Sequence, residues 1–111
     1  MITKTEKTWW VKIYLSGPIE VAKQVCRERC MARGLCVTIE PTLFVYTGGE
    51  EAGYVVGLIN YPRFPSTPEY LNGVAEEIAQ ALLERTAQWS ALMMTPKETT
   101  WLTVREDKPK T

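Results

Sequence analysis

The sequence predicts an α+β sandwich, with two helices laid on one face of a sheet in the chain order βαββαβ and a short C-terminal hairpin added. Three observations carry this. Residues 9–15, 35–46 and 54–61 alternate apolar and polar side chains with period two, the last two around a Gly-Gly turn. Residues 20–33 and 68–88 repeat apolar side chains at helical spacing. Two short apolar segments, 91–95 and 100–104, flank a Pro96-Lys97-Glu98 turn and close the chain. At 111 residues the expected organisation is one domain over 1–111, with polar tails at 1–8 and 106–111.

Each element has a local reason. In the first strand Trp9, Val11, Ile13 and Leu15 share one face, and Trp10, Lys12 and Tyr14 the other. Ser16-Gly17-Pro18 ends it, and Pro18 suits the first turn of a helix. That helix sets Ala22, Val25, Cys26 and Cys30 on its apolar side and Lys23, Arg27 and Glu28 on its polar side. Gly34 is placed to end it in the left-handed conformation.

In the next strand Leu35, Val37, Ile39, Leu43 and Val45 keep one parity, while Thr38, Glu40, Thr42, Phe44 and Tyr46 keep the other. Pro41 cannot donate to a ladder, so it marks an edge or a bulge. Residues 47–51 form the turn to an antiparallel partner. Ser66 and Glu69 have capping-box spacing, with Thr67 as the competing cap before Pro68. The second helix buries Leu71, Val74, Ala75, Ile78 and Leu82, with Glu76, Glu77, Gln80 and Glu84 opposite. Ala91-Leu92-Met93-Met94 is too apolar for a loop and reads as a strand; the alternative is a helix that runs on to Met94.

Charge narrows the function classes. Thirteen basic and thirteen acidic side chains cancel. A polyanion binder needs a basic excess, so nucleic acid is not an expected partner. Near-zero net charge also leaves little self-repulsion and is compatible with self-association. No apolar run approaches the roughly 20 residues that span a bilayer. The N-terminal residues lack a signal peptide's apolar stretch, so the expected location is the cytoplasm. Three cysteines agree with a reducing compartment.

Right-handed crossovers put both helices on one sheet face and leave the other uncovered. Parity assigns Val11, Ile13, Leu15, Val37, Ile39 and Val45 to the covered side. It brings Trp10, Tyr14, Phe44 and Tyr46 to the open face, and Trp101 joins them on one reading of the last strand. Burying each ring fully contributes about 1.5–3 kcal/mol. A patch of this kind marks an interface. The expected occupant is a second copy of the chain, as dimer or trimer; the alternatives are cover by the C-terminal hairpin or tail, or a ligand. An RNA-binding sheet also displays aromatics, but with a basic surround and a signature that this chain lacks.

Chemistry-bearing motifs are sparse. The chain has no histidine, so catalytic triads built on it are excluded. Cys26, Cys30 and Cys36 follow a C-x3-C-x5-C spacing, which is not the paired-knuckle pattern of zinc. They read as small apolar side chains, with a thiolate role as the alternative. Gly48-Gly49-Glu50-Glu51 lacks the Lys-Ser/Thr of a phosphate loop and reads as a hairpin turn; a divalent-cation site on the two carboxylates is the alternative. No cofactor and no metal is implied. Tyr61-Pro62-Arg63-Phe64-Pro65 is the candidate recognition loop, because Arg and aromatic residues concentrate at interface hot spots. The alternative is a rigid connection that pins Phe64 between helix and sheet.

Two resemblances bear on these residues. Ile13-Tyr14-Leu15-Ser16-Gly17-Pro18 resembles the first strand of nucleoside 2-deoxyribosyltransferases, over these six residues alone. Those enzymes have a doubly wound parallel sheet, whereas a hairpin follows the first helix here. Cys36-Val37-Thr38-Ile39-Glu40-Pro41, then Val45-Tyr46 and an acidic turn, resembles CutA. The strand at 92–95 and the one ending Thr103-Val104-Arg105 resemble the end of PII signalling proteins. This likeness implies a ferredoxin-like trimer with open sheet faces turned inward. The long PII loop and the CutA histidine are both missing, so no nucleotide or metal site carries over. The expected function is a small, non-enzymatic, oligomeric regulatory or ligand-binding module. One alternative is a protein-interaction factor, an inhibitor or adaptor of a phage or mobile element. The other is a small enzyme using a carboxylate or a cysteine.

Overall fold

The computed structural model describes residues 1–104, and the predicted tail at 106–111 lies outside them. The elements are β1 (Trp10–Ser16), α1 (Ile19–Arg33), β2 (Thr38–Tyr46), β3 (Gly49–Ile59), α2 (Pro68–Thr86), β4 (Ser90–Met94) and β5 (Thr99–Thr103). The strands form one antiparallel sheet in the order β2-β3-β1-β4-β5. Each helical crossover skips one strand: α1 carries the chain past β3 to β2, and α2 past β1 to β4. Both helices therefore cover one face, and the fold is ferredoxin-like. No helix is long and apolar enough to cross a membrane among the described residues.

Local signals place the ends. Gly34 closes α1 at φ 65°, and its N–H donates to the Cys30 carbonyl at 2.8 Å. Thr67 wins over Ser66 as the cap of α2, its hydroxyl accepting from the Tyr70 N–H at 3.1 Å. Ala87, at φ 54°, ends α2, so the helix does not reach Met94.

The core lies between the helices and the inner three strands. Val11, Ile13 and Leu15 of β1 and Tyr54, Val56 and Leu58 of β3 pack under Leu71, Val74, Ile78 and Leu82 of α2 and Ala22, Val25 and Cys26 of α1. Cys26 is 2 % exposed, and burial, with Cys30 nearby, pushes its thiol up from 9.0 to about 11. The folded state thus holds Cys26 neutral where the unfolded chain ionises. Its contribution is complete below pH 9 and is lost as pH rises toward 11, at up to about 1.4 kcal/mol per pH unit. Urea titrations at pH 8 and 10 should show this loss, and Cys26→Ala should flatten it; an unchanged slope would contradict the assignment.

Three expectations are corrected. The turn is two residues, Thr47 and Gly48, with Gly48 at φ 91°, so Glu50 and Glu51 are strand residues. The strand after α1 begins at Thr38, not at 35. Leu43 and Val45 have the covered-side parity yet are 54 % and 73 % exposed. Length explains this. The 11 residues of β3 reach about 37 Å, whereas the 15 residues of α1 reach about 22 Å. The β2–β3 hairpin therefore outruns the helices as a two-stranded arm. Pro41 sits on β2, an edge strand, where its missing donor costs nothing.

Candidate functional site

Register decides which side chains meet on the open face. Glu40 pairs Val55, Val55 pairs Tyr14, Tyr14 pairs Leu92, and Leu92 pairs Trp101. These form one row across all five strands. Two same-face steps toward the hairpin tip, past Thr42↔Gly53, Phe44 stands opposite Glu51. The rows border a shallow, open groove of about 240 Å³ lined by Tyr14, Phe44, Tyr46, Leu92 and Trp101, with Glu51 among the lining residues. Ser16 and Ser90 add hydroxyls.

Gly53 shapes this groove. A Cβ there would lie 2.5 Å from Phe44 Cε2 and 2.5 Å from the Leu15 carbonyl oxygen. The Phe44 ring thus rests on bare β3 backbone and leans toward β1. Tyr46 leans on Gly49 in the same way, its Cε2 3.2 Å from where a Cβ would stand.

Of the eight candidate residues, the structure gathers Tyr14, Phe44, Tyr46 and Trp101 in this groove. Trp101 and Tyr46 are each 53 % exposed, while Tyr14 and Phe44 are half-buried. Trp10 shares the face but lies at the opposite end of β1, paired with Ile59. The Lys12 ammonium stands 5.3 Å from its ring centroid. The C-terminal hairpin does not cover the face: β4 and β5 extend the sheet in its own layer.

Tyr61, Arg63 and Phe64 form a separate cluster. The Tyr61 and Phe64 rings stack at 6.1 Å, and the Arg63 guanidinium lies 5.3 Å from the Phe64 centroid. Asn60 anchors the loop, its Nδ2 donating to the Lys7 carbonyl and its Oδ1 accepting from the Ser66 N–H, both at 2.8 Å. Phe64 is 63 % exposed, so it is not pinned between helix and sheet. The three thiols are free. Among the described residues no three His, Cys, Asp or Glu side chains stand together as metal ligands.

Glu51 is hidden as a member of the groove by its turn-like composition, which extends the expected turn three residues beyond the observed one. A two-residue turn sets Glu51 on the parity of Gly53 and Val55, which is the open face. Leu92 is legible as a strand residue, and only the β1–β4 register places it in the groove.

No protein-family model and no curated protein sequence matches the chain. Solved structures do. A phage SAM lyase in its apo state superposes with a TM-score of 0.75 at 14% identity, over 90% of this chain and 92% of that one. A phage SAM lyase in complex with S-methyl-5′-thioadenosine superposes with a TM-score of 0.68 at 12% identity, over 94% and 95%. CutA of Synechococcus elongatus follows at 0.48 and 18% identity, over 91% and 83%. The likeness is one of fold.

Proposed function

We propose that the open-face groove binds S-adenosylmethionine, and that the protein is a lyase that breaks the sulfonium–carbon bond to release S-methyl-5′-thioadenosine. The carrying observation is a groove of four aromatic rings and one carboxylate on a fold that matches, nearly end to end, a phage SAM lyase that holds this nucleoside. An adenine ring stacks on aromatic faces for about 1–3 kcal/mol. A sulfonium cation is attracted to the same faces and to Glu51.

The reaction asks little acid–base chemistry of the chain. The substrate's own carboxylate oxygen attacks the carbon bonded to sulfur. A C–O bond forms, the C–S bond breaks, and its electron pair goes to sulfur. The products are the neutral thioether and a lactone, with no proton transferred. A chain without histidine can therefore support it. The protein's part is to hold the amino-acid arm folded against its own carbon, in a near-attack geometry.

The second reading is the non-enzymatic, self-associating ligand module. It is favoured by apolar surface outside the groove: Ile59 on the open face, Leu43 and Val45 on the arm. Self-association is part of both readings. Light scattering is expected to give a dimer or trimer that Trp10→Lys dissociates, since Trp10 shares the open face but lies outside the groove. A monomer at all concentrations would remove this part of the proposal.

The deciding experiment combines calorimetry with S-methyl-5′-thioadenosine and chromatography of S-adenosylmethionine incubated with the protein. Binding with release of the thioadenosine supports the lyase. Binding without turnover leaves the ligand module with this nucleoside as its ligand, and no binding sinks the lyase and the nucleoside site. Trp101→Ala should weaken nucleoside binding about fivefold to a hundredfold, from loss of one stacking face.

A further inference from the structure

We infer that Glu51 makes the groove selective for a positively charged sulfur ligand over a neutral thioether, so that substrate is held and product is let go. This rests on the proposed reading of the groove. Among its described lining residues Glu51 carries the one formal charge, and the walls beside it are aromatic. No ion pair joins Glu51 to another side chain among the described residues. Lys12, a cation on the same face, is occupied over Trp10. Lys12 pairs Gly57, six residues along β3 from Glu51, or about 20 Å away. The other carboxylate on the face, Glu40, stands in the Tyr14 row and adds to the same sign of potential.

An unpaired carboxylate beside aromatic rings is suited to a cation whose charge sits on a poorly hydrated centre. S-adenosylmethionine carries such a centre; S-methyl-5′-thioadenosine and S-adenosylhomocysteine carry an uncharged sulfur in its place. The attraction is lost at the moment the C–S bond breaks. It therefore acts on selection and release and does not lower the barrier, because the sulfonium charge disperses in the transition state. Glu51 is a specificity-determining residue on this account.

The test uses three probes on the wild type and on Glu51→Gln by calorimetry. Sinefungin carries an ammonium where the substrate has its sulfonium and cannot be cleaved. S-adenosylhomocysteine and S-methyl-5′-thioadenosine are the neutral-sulfur probes. On the wild type sinefungin should bind about tenfold more tightly than S-adenosylhomocysteine. In Glu51→Gln the ratio should fall to about one, with thioadenosine affinity unchanged. Raising salt to about 0.5 M should reduce the wild-type ratio in the same direction, and this needs no variant to fold. In turnover, Glu51→Gln should raise KM for S-adenosylmethionine without lowering kcat. A ratio near one in the wild type, or one that survives Glu51→Gln, overturns the inference while thioadenosine binding leaves the groove reading standing. Failure of all three probes to bind overturns the groove reading and the inference with it.

Discussion

Gly53→Ala is expected to destabilise the protein by about 3 kcal/mol and to abolish the nucleoside binding proposed for the groove. The added methyl would lie 2.5 Å from two atoms of different kinds. Phe44 Cε2 belongs to a ring that can swing away. The Leu15 carbonyl oxygen belongs to the central strand and cannot move without opening the β1–β3 ladder, where Ser16 pairs Gly53. Overpacking of this kind costs about 1–3 kcal/mol, and the backbone contact puts this case at the upper end. Relief by swinging Phe44 fills the groove instead of preserving it. Urea denaturation checks the first part and calorimetry with S-methyl-5′-thioadenosine the second. Wild-type stability would show that the strand yields freely; retained binding would show that the Phe44 position is immaterial.

Tyr54→Phe is expected to stabilise the protein by about 1–2 kcal/mol. Tyr54 is fully buried on the helix side of β3, and its hydroxyl has no hydrogen-bond partner among the described residues. A buried donor left unsatisfied costs about 1–3 kcal/mol, and removing it recovers most of that without leaving a cavity. The same burial, with Cys26 beside it, raises the phenol above its usual 10.0. The unfolded chain ionises above pH 10 while the folded one does not. Tyr54 thus adds to the alkaline loss of stability, and the phenylalanine variant lacks that share. Thermal melts at pH 7 and pH 10.5 check both parts. A lower melting temperature for the variant at pH 7 would mean that the hydroxyl makes a favourable bond in solution.

Most of the architecture was legible locally. Period-two alternation around Ile13 and Ile39, helical spacing through Ala22–Cys26 and Leu71–Leu82, and the left-handed Gly34 each depend on neighbours within a few residues. Where local signals competed, tertiary context decided. Glu50 and Glu51 look like turn residues by composition, yet the ladder from Tyr46↔Gly49 onward makes them strand. Val45 looks buried by parity, yet no helix reaches it.

By itself the sequence determined the order of the elements, the faces of β1, and that aromatic side chains gather on the uncovered one. Those facts follow from backbone periodicity and from the handedness of the crossovers, which the chain carries at every point. Only the tertiary structure decided which of those rings form a groove. Phe44, Tyr14 and Trp101 come from three strands that pair through β3 and β4, and their meeting depends on register between segments up to 87 residues apart (Tyr14 to Trp101). Gly53 and Glu51 enter for the same reason: a bare backbone under a leaning ring, and a carboxylate one pleat away, exist only once β2 and β3 are paired.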